Sequence, residues 1–292
     1  MNDPMRLFDR PAHRRHRDRA SATVDRVAPV LRDAAERLLD RLDDTTRRFT
    51  RALDIGGRGI VAPLLAARGI DVVSCDFSRA MAARNPAAIV VADEEFLPFG
   101  RDSFDLVVAS LSLHWVNDLP GALIQLRRAL RPDGLLLVSL PAAGTLGELR
   151  GALTETEAAL TGGAAPRIAP FPDLRDCAGL LQRAGFALPV ADMEEIRLLY
   201  ADPLDLLRDL RAAGETNALR LRHRAIPPAP LFPAALAALA REDGRVAISL
   251  RMAVLTGWAP AATQPQPLKP GSGRVSLVDF LESDTKTPNE QG

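Results

Sequence analysis

The sequence predicts an α/β fold with a doubly wound, mostly parallel sheet, and three observations support this prediction. Short runs of β-branched and aliphatic residues alternate with amphipathic helical segments through the centre of the chain. A glycine-rich turn follows the first run, within the stretch ALDIGGRGIVAPLLAARGIDVVSCD. Acidic residues, Asp54, Asp76 and Asp93, lie at the ends of the first three predicted strands. In such sheets the carboxyl ends of the strands form the ligand-binding crevice.

The central elements are predicted from apolar spacing and capping residues. Each strand run is short and apolar, as a sheet covered on both faces requires. The predicted strands are Ala52–Ile55, Asp71–Cys75, Ala88–Ala92, Phe104–Leu111 and Gly134–Leu140. The predicted helices are Gly59–Ala67, Ser78–Arg84 and Leu119–Leu130. Ser78 and Asp118 are suited to cap the last two helices.

The flanking segments have different patterns. Residues 1–19 are charged and predicted to be irregular at first, and the RRHRDR run within them is expected to be a solvated arm. Ser21–Leu42 has helical apolar spacing. A sixth strand is predicted around Glu195–Tyr200, and the chain from about Thr263 is expected to be loose.

Composition restricts the class of function. The 292 residues carry 37 basic and 37 acidic side chains, and this balance argues against a nucleic-acid binder that works through bulk charge. Cys75 and Cys177 are far apart and have no metal-ligand spacing, which favours a cytoplasmic protein with reduced thiols and no metal site. The first twenty residues have no apolar segment typical of a secretory signal. No run approaches the roughly 18 apolar residues that a membrane span needs.

The glycine turn favours one nucleotide-like cofactor over another. Gly56, Gly57 and Gly59 allow close approach of the backbone to a ligand, and Asp76 is suited to accept hydrogen bonds from a ribose diol. A dinucleotide site requires G-x-G-x-x-G, but counting from Gly56 places Arg58 and Val61 at the second and third glycine positions. S-adenosylmethionine has no pyrophosphate and uses the same crevice, so it is the preferred candidate.

Several motifs resemble one family. The stretches LDIGGRG, CDFS, VADEEFLPF and FDLVVASLSLHWVNDLPGALIQLRRALRPDGLLLVSL are similar to class I, type-11 S-adenosylmethionine-dependent methyltransferases. DEEFLPF followed by SFDLVVASLSLHWVND resembles the subgroup of methyltransferase-like assembly factors of respiratory complex I and their alphaproteobacterial relatives. The same motifs are similar to malonyl-carrier-protein methyltransferases of biotin synthesis. The resemblance to the assembly-factor subgroup extends over most of the chain, including FDR and LTGWAP.

The resemblance implies a Rossmann-like sheet of seven strands in the order 3-2-1-4-5-7-6, with the seventh strand antiparallel at Val246–Gly257. It also implies three segments: an N-terminal basic arm and helix at 1–48, a methyltransferase domain at 49–262, and a loose tail at 263–292. Residues of about 201–244 are then a helical insertion over the mouth of the active site.

The resemblance also assigns candidate site residues, position by position. His114, beside the expected place of the transferable methyl group, is the candidate catalytic residue, because histidine exchanges protons near neutral pH. Packing or shaping of the pocket is the alternative role for His114, and packing is the favoured role for Trp115. The candidate cofactor-binding residues are Asp54, Gly56, Gly57, Gly59, Asp76, Phe77, Asp93, Glu94, Ser110 and Ser112.

The glycine loop departs from the family pattern, acid-x-Gly-x-Gly-x-Gly, because Arg58 and Ile60 stand at the second and third glycine positions. Arg58 either closes over the methionine carboxylate or obstructs the cofactor, and retained binding is favoured.

Three functions follow from the resemblance. The first is a methyltransferase that acts on a small molecule or a protein side chain. The second is an assembly factor that contacts a complex I subunit, since arginine hydroxylation is the activity attributed to the mitochondrial member. The third is a non-catalytic sensor or scaffold that binds S-adenosylmethionine.

Overall fold

The sheet and its flanking helices are seen in a computed structural model that describes residues 6–265 and residue 276. The chain divides into a unit of residues 1–260 and a smaller unit of residues 261–292. The helices are α1 (Arg10–Ala20), α2 (Ala28–Leu39), α3 (Val61–Ala67), α4 (Arg79–Ala82), α5 (Leu119–Ala129), α6 (Gly147–Thr161), α7 (Leu174–Ala184), α8 (Pro203–Ala213) and α9 (Leu231–Ala237). The strands are β1 (Arg51–Ile55), β2 (Asp71–Asp76), β3 (Ala88–Val91), β4 (Phe104–Ser110), β5 (Leu130–Pro141), β6 (Ala187–Tyr200), β7 (Arg241–Glu242) and β8 (Arg245–Trp258).

The strands form one mixed sheet in the order β3-β2-β1-β4-β5-β8-β6, and the short β7 pairs with β8 as an additional strand. β1 to β5 run parallel to one another, whereas β8 runs antiparallel between β5 and β6. The predicted order and the predicted antiparallel seventh strand are therefore confirmed, with β8 in that position. The order reverses between β1 and β4, so a crevice is expected at their carboxyl ends.

Apolar side chains cover both faces of the sheet. Successive residues of β4, Leu106 and Val107, belong to different core clusters because side chains of a strand alternate between faces. Leu106 packs in the cluster that includes Leu38 of α2 and Leu65 of α3. Val107 packs in the cluster that includes Leu126 of α5 and a leucine of α7. This double cover fixes the strand ends on which the site is built.

Side-chain caps set where several helices begin. The carboxylate of Asp9 accepts a hydrogen bond from the backbone N–H of Ala12 at the start of α1. Ser78 caps α4 and Asp118 caps α5, as predicted from the sequence. Asp202 caps α8, and Gly214, in a left-handed conformation, ends it.

The N-terminal region differs from its prediction. Arg10–Ala20 is a helix rather than an irregular arm, and Arg17 within the RRHRDR run is buried rather than solvated. The predicted continuous helix over Ser21–Leu42 is interrupted by a 3₁₀ turn at Val24–Val27 before α2 begins. Pro29 lies in the first turn of α2, where its missing N–H is tolerated, so a new helix begins there.

The second unit is described only in part. Within it, the backbone N–H of Ala261 donates to the side-chain oxygen of Gln264 at 3.2 Å and closes a short turn. Most of the tail that was predicted to be loose lies outside the described residues. Within residues 6–265, no helix combines the length and the apolar character that crossing a membrane requires.

Candidate active site

The first acid of the crevice, Asp54, is buried at the end of β1. Ser74 on the neighbouring β2 donates its hydroxyl to Asp54 Oδ2 at 3.2 Å. Asp54 Oδ1 has no hydrogen-bond partner within the described part of the chain. Burial raises the pKa of Asp54 to about 7, and the nearby Asp76 adds to the increase. Asp54 therefore holds a proton at mildly acidic pH.

The glycine loop passes too close to its neighbours for larger residues. A Cβ atom on Gly57 would lie 2.2 Å from Asp54 Oδ1, and one on Gly56 would lie 2.7 Å from Ser112 Cβ. Gly56 also has a left-handed backbone with a φ of +64°. By contrast, a Cβ on Gly59 would face the backbone of Arg84 at 3.2 Å, so Gly59 packs against the turn that follows α4.

The second acid, Asp76, is occupied by two donors. Its Oδ1 accepts a hydrogen bond from the backbone N–H of Ser78 at 2.9 Å. Its Oδ2 forms an ion pair with Arg17 of α1, and both side chains are almost fully buried. Arg17 also donates to the backbone carbonyl of Gly56 at 3.3 Å. The guanidinium of Arg17 therefore lies between the glycine loop and the acid predicted to bind ribose.

The acids after β3 also face α1. Asp93 and Glu94 both pair with the guanidinium of Arg10. The guanidinium carbon of Arg10 lies 4.4 Å from the centre of the Phe77 ring, which is a cation–π distance. Burial raises the pKa of Glu94, although Arg10 opposes this effect. Arg10 thus covers the end of the crevice at which the resemblance predicts adenine to bind.

His13 completes the buried face of α1. Its ring lies 5.1 Å from the rings of both Phe77 and Trp115. Neither ring nitrogen of His13 has a hydrogen-bond partner among the residues that the structure describes. Burial lowers the pKa of His13 well below its ordinary value, so the ring is neutral. Sequence reasoning missed Arg10, His13 and Arg17, although their spacing places them on one helical face.

Arg58 extends away from the glycine loop towards the end of β4. It has a left-handed backbone with a φ of 55°. Its guanidinium donates to the carbonyl of Leu111 at 2.9 Å and to Glu215 Oε1 at 2.6 Å. Burial lowers the pKa of Arg58 to about 10, and the charge of Arg17 contributes to the decrease. Its neighbour Ile60 is half-buried and packs against the core on the α2 and α3 face.

Glu215, which sequence reasoning did not single out, joins Arg58 to the histidine predicted to be catalytic. Its Oε2 lies 2.8 Å from His114 Nε2 and accepts a hydrogen bond from Trp115 Nε1 at 2.6 Å. Burial opposes ionisation of Glu215, but His114 and Arg58 outweigh it and lower the pKa. The Glu215 carboxylate is therefore ionised and held by donors from two distant segments. No local signal in the sequence pairs residues 114 and 215.

These residues border a cavity of about 380 Å³ with a mostly apolar wall. Arg58, His114 and Glu215 lie at one part of the wall. Other lining residues come from the 3₁₀ turn before α2, from α6, from α8 and from the strands β6 and β8. The wall includes Leu31, Leu111, Thr145, Leu149, Phe171, Leu198, Tyr200, Asp209, Leu210 and Phe232.

The structure brings most of the predicted site residues to one edge of the sheet. Asp54, Gly56, Gly57, Asp76, Phe77, Asp93, Glu94 and Ser112 surround the crevice, and His114 lies beside the cavity. Ser110 is buried within the sheet, and its hydroxyl accepts a long hydrogen bond of 3.5 Å from Ser139. Among residues 6–265 and residue 276, no group of three potential metal ligands comes together.

The crevice fits an S-adenosyl ligand in its chemistry. Unpartnered polar atoms, Asp54 Oδ1 and Ser112 Oγ, flank the glycine loop within the described residues. Acids end β1 and β2 and follow β3, and the loop glycines pack directly against Asp54 and Ser112. The class that the fold and this site define is a methyltransferase of the doubly wound type.

Comparisons with known proteins agree with this class. Residues 15–189 match a family described as "Methyltransferase domain". The chain is 37% identical over 297 residues to "Arginine-hydroxylase NDUFAF5, mitochondrial" of Danio rerio, covering 96% of this chain and 92% of that protein. It is 33% identical over 294 residues to "Malonyl-[acyl-carrier protein] O-methyltransferase" of Methylovorus sp. (strain MP688), covering 94% of each. A putative methyltransferase structure from Bacillus halodurans has a TM-score of 0.53 at 16% identity, covering 77% of this chain and 99% of that one.

The chain belongs to the S-adenosylmethionine-dependent methyltransferase family. S-adenosylmethionine is the cofactor of this family and supplies a sulfonium methyl group. The predicted resemblance to the complex I assembly-factor subgroup is confirmed at the level of relatedness. The roles of the individual site residues remain predictions.

Proposed function

We propose that this chain transfers a methyl group to an acceptor held in the apolar cavity, and that His114 removes the acceptor's proton. The observation that carries this proposal is the 2.8 Å contact between His114 Nε2 and the ionised Glu215. Because the Glu215 carboxylate accepts a hydrogen bond, it favours the His114 tautomer with hydrogen on Nε2. The lone pair of that tautomer lies on Nδ1. Within the described residues, His114 Nδ1 is buried and has no hydrogen-bond partner, so the acceptor's proton would have to reach it through the cavity wall beside the ring.

A histidine base favours one class of acceptor. An N–H or O–H group must lose its proton when it is methylated, whereas a carboxylate is already a nucleophile and needs no base. The apolar wall of the cavity suits an acceptor with an apolar body next to that group. The proposal therefore favours an amine, guanidine or hydroxyl acceptor over a malonyl carboxylate.

His114→Gln tests the proton transfer. Loss of a general base costs about 10²- to 10⁴-fold in rate, and the pH dependence due to histidine is lost with it. The measurement is transfer of labelled methyl groups into a cell extract, followed across pH. His223→Gln is the matched control, because His223 is exposed and does not line the cavity. If His114→Gln retains the wild-type rate and pH profile, His114 only shapes the pocket.

A second candidate function is hydroxylation of an arginine side chain in a protein partner, such as a complex I subunit, with O₂ as the oxygen donor and two electrons from an external reductant. The observation that favours it is 37% identity, over nearly the whole chain, to a protein named as an arginine hydroxylase. An arginine side chain has an apolar stem and a cationic head, and the cavity combines an apolar wall with Asp209 and Glu215. Mass spectrometry of arginine peptides distinguishes the candidates, because hydroxylation adds one oxygen atom and methylation adds one CH₂ unit.

A third outcome is binding without chemistry. If the purified protein binds S-adenosylhomocysteine but modifies nothing in an extract, a sensor or scaffold role gains support. We propose the cytoplasm as the compartment, because Cys75 and Cys177 are both free and buried. Fractionation of cells that express a tagged chain tests this assignment.

A further inference from the structure

Arg17 is a buried cation at the centre of the cofactor crevice. Its side chain is 3% exposed, and its guanidinium contacts Asp76 and the Gly56 carbonyl. The guanidinium nitrogen Nη2 lies 3.5 Å from the place where a Cβ of Gly56 would stand. Arg17 therefore lies against the loop that carries the methionine end of the cofactor in this family.

The helix that carries Arg17 is anchored at its N-terminal end. The backbone N–H of Phe8 donates to Asn117 Oδ1 at 2.8 Å, and Phe8 pairs with Leu219 in a β-bridge. The carboxylate of Asp9 pairs with Arg222 at 2.8 Å. These contacts hold α1 over the crevice, so Arg17 stays near the ligand unless α1 detaches.

The ion pair of Arg17 conflicts with the predicted role of Asp76. Asp76 Oδ1 already accepts from the Ser78 N–H and Oδ2 from Arg17, so two ribose hydroxyls can bind both oxygens only if Arg17 withdraws. Arg17 then loses its counter-ion while it remains buried. A buried charge without a partner is strongly unfavourable. The other nearby carboxylates already have partners and cannot replace Asp76. Glu215 pairs with Arg58, and the acids after β3 pair with Arg10.

The cofactor brings its own anion to the glycine loop, the α-carboxylate of its amino-acid end. We propose that Arg17 exchanges partners: it pairs with Asp76 in the cofactor-free chain and with the cofactor carboxylate in the bound chain. This assignment rests on the cofactor of the family and not on the proposed acceptor. A planar guanidinium matches a carboxylate with two parallel hydrogen bonds, which a lysine at this position does not reproduce.

The exchange makes the site selective for the complete amino-acid nucleoside. A nucleoside without the carboxylate must separate Arg17 from Asp76 and supplies no other anion to pair with Arg17. S-adenosylhomocysteine carries the carboxylate, whereas 5′-methylthioadenosine has the same adenosine and sulfur but no amino-acid end. The two ligands therefore report separately on the two partners of Arg17.

Calorimetric titration of the full chain with both ligands tests the exchange. Wild type is expected to bind S-adenosylhomocysteine much more tightly than 5′-methylthioadenosine. In Arg17→Gln, affinity for S-adenosylhomocysteine is expected to fall at least about tenfold, the loss of one charge-assisted contact. Affinity for 5′-methylthioadenosine is expected to stay constant or rise, because Asp76 is no longer paired. Arg14→Gln, on the exposed face of α1, is the matched control and is expected to match wild type.

Two patterns would overturn the exchange. Tighter binding of both ligands to Arg17→Gln would mean that Arg17 only blocks the crevice. An equal loss for both ligands would mean that Arg17 only supports the fold. If Arg17→Gln does not fold, Arg17→Lys is titrated instead, and an unchanged ratio of the two affinities contradicts the proposal.

The calorimetric titration tests the cofactor assignment, and the methyl-transfer assay on the same protein tests the acceptor chemistry separately. Failure of wild type to bind S-adenosylhomocysteine would overturn the exchange together with the cofactor assignment. Binding with the expected ratio but without methyl transfer would support the exchange and contradict the proposed function.

Discussion

Replacement of Glu215 by glutamine removes the negative charge that joins Arg58, His114 and Trp115. The carboxylate receives Arg58 at 2.6 Å, His114 at 2.8 Å and the Trp115 indole at 2.6 Å. With the neutral amide of glutamine at position 215, the Arg58 charge stays buried and has only carbonyl partners. The NH₂ group of the amide also faces hydrogen-bond donors instead of acceptors. Loss of one partner of a buried pair costs about 3–5 kcal/mol. For a chain of this size, such a loss corresponds to a decrease of roughly 10 °C in the unfolding temperature.

The assay is urea unfolding followed by circular dichroism, with a thermal scan as a second measurement. The matched control is Glu195→Gln, whose carboxylate pairs with Arg251 at 3.2 Å while both side chains are more than 40% exposed. An exposed pair contributes about 0–1 kcal/mol, so the control is expected to remain close to wild type. Adding Arg58→Met to Glu215→Gln removes the orphaned cation and is expected to recover part of the loss. A Glu215→Gln protein within about 1 kcal/mol of wild type would refute the role of Glu215 as counter-ion.

Three further changes have defined outcomes. The pKa of Asp54 is raised to about 7 from 3.8, so the folded protein retains a proton that the unfolded chain releases. Stability of wild type should therefore fall by up to about 4 kcal/mol as pH rises from about 4 to 7. Asp54→Asn should flatten this slope in urea titrations, and an unchanged slope would assign it to other groups. Gly57→Ala places a Cβ 2.2 Å from Asp54 Oδ1, so calorimetry should show loss of S-adenosylhomocysteine binding, and wild-type affinity would contradict the close packing. Leu106→Ala, at a fully buried position of β4, should lower the free energy of unfolding in urea by about 2–5 kcal/mol. A decrease below about 1 kcal/mol would mean that the core collapses into the space left by the leucine.

The sheet and its strand-end acids could be predicted because their signals are local. β1 to β4 begin and end within about one residue of the predicted strands, since each is a short apolar run bounded by turns. The acids Asp54 and Asp76 were placed at the crevice by the rule for parallel strands alone. The antiparallel β8 required the family resemblance, because no periodicity specifies the direction of a strand.

The helix α1 could not be predicted from hydrophobic periodicity. Its buried face carries Arg10, His13 and Arg17, and a search for apolar spacing interprets such a face as solvated. These side chains are buried because acids at the ends of distant strands neutralise the two arginines. The signal that could have found the helix is the Asp9 cap followed by Pro11 in the first turn.

Glu215 was missed for a different reason. It lies about one hundred residues from His114 in sequence, and the two meet only because the segment after α8 returns to the crevice. Nothing near Glu215 marks it as functional, because an acid after a helix-ending glycine is an ordinary surface feature. Its partial burial and its three donors are properties of the tertiary structure.

Two charged residues of the site lie outside the general methyltransferase match. That match covers residues 15–189, and it includes neither Arg10 nor Glu215. Arg10 and Arg17 neutralise acids of the crevice, whereas Glu215 neutralises Arg58 at the cavity wall. The predicted nucleoside site therefore lies on the sheet, while α1 and the segment after α8 supply the charges that pair with its acids and with Arg58.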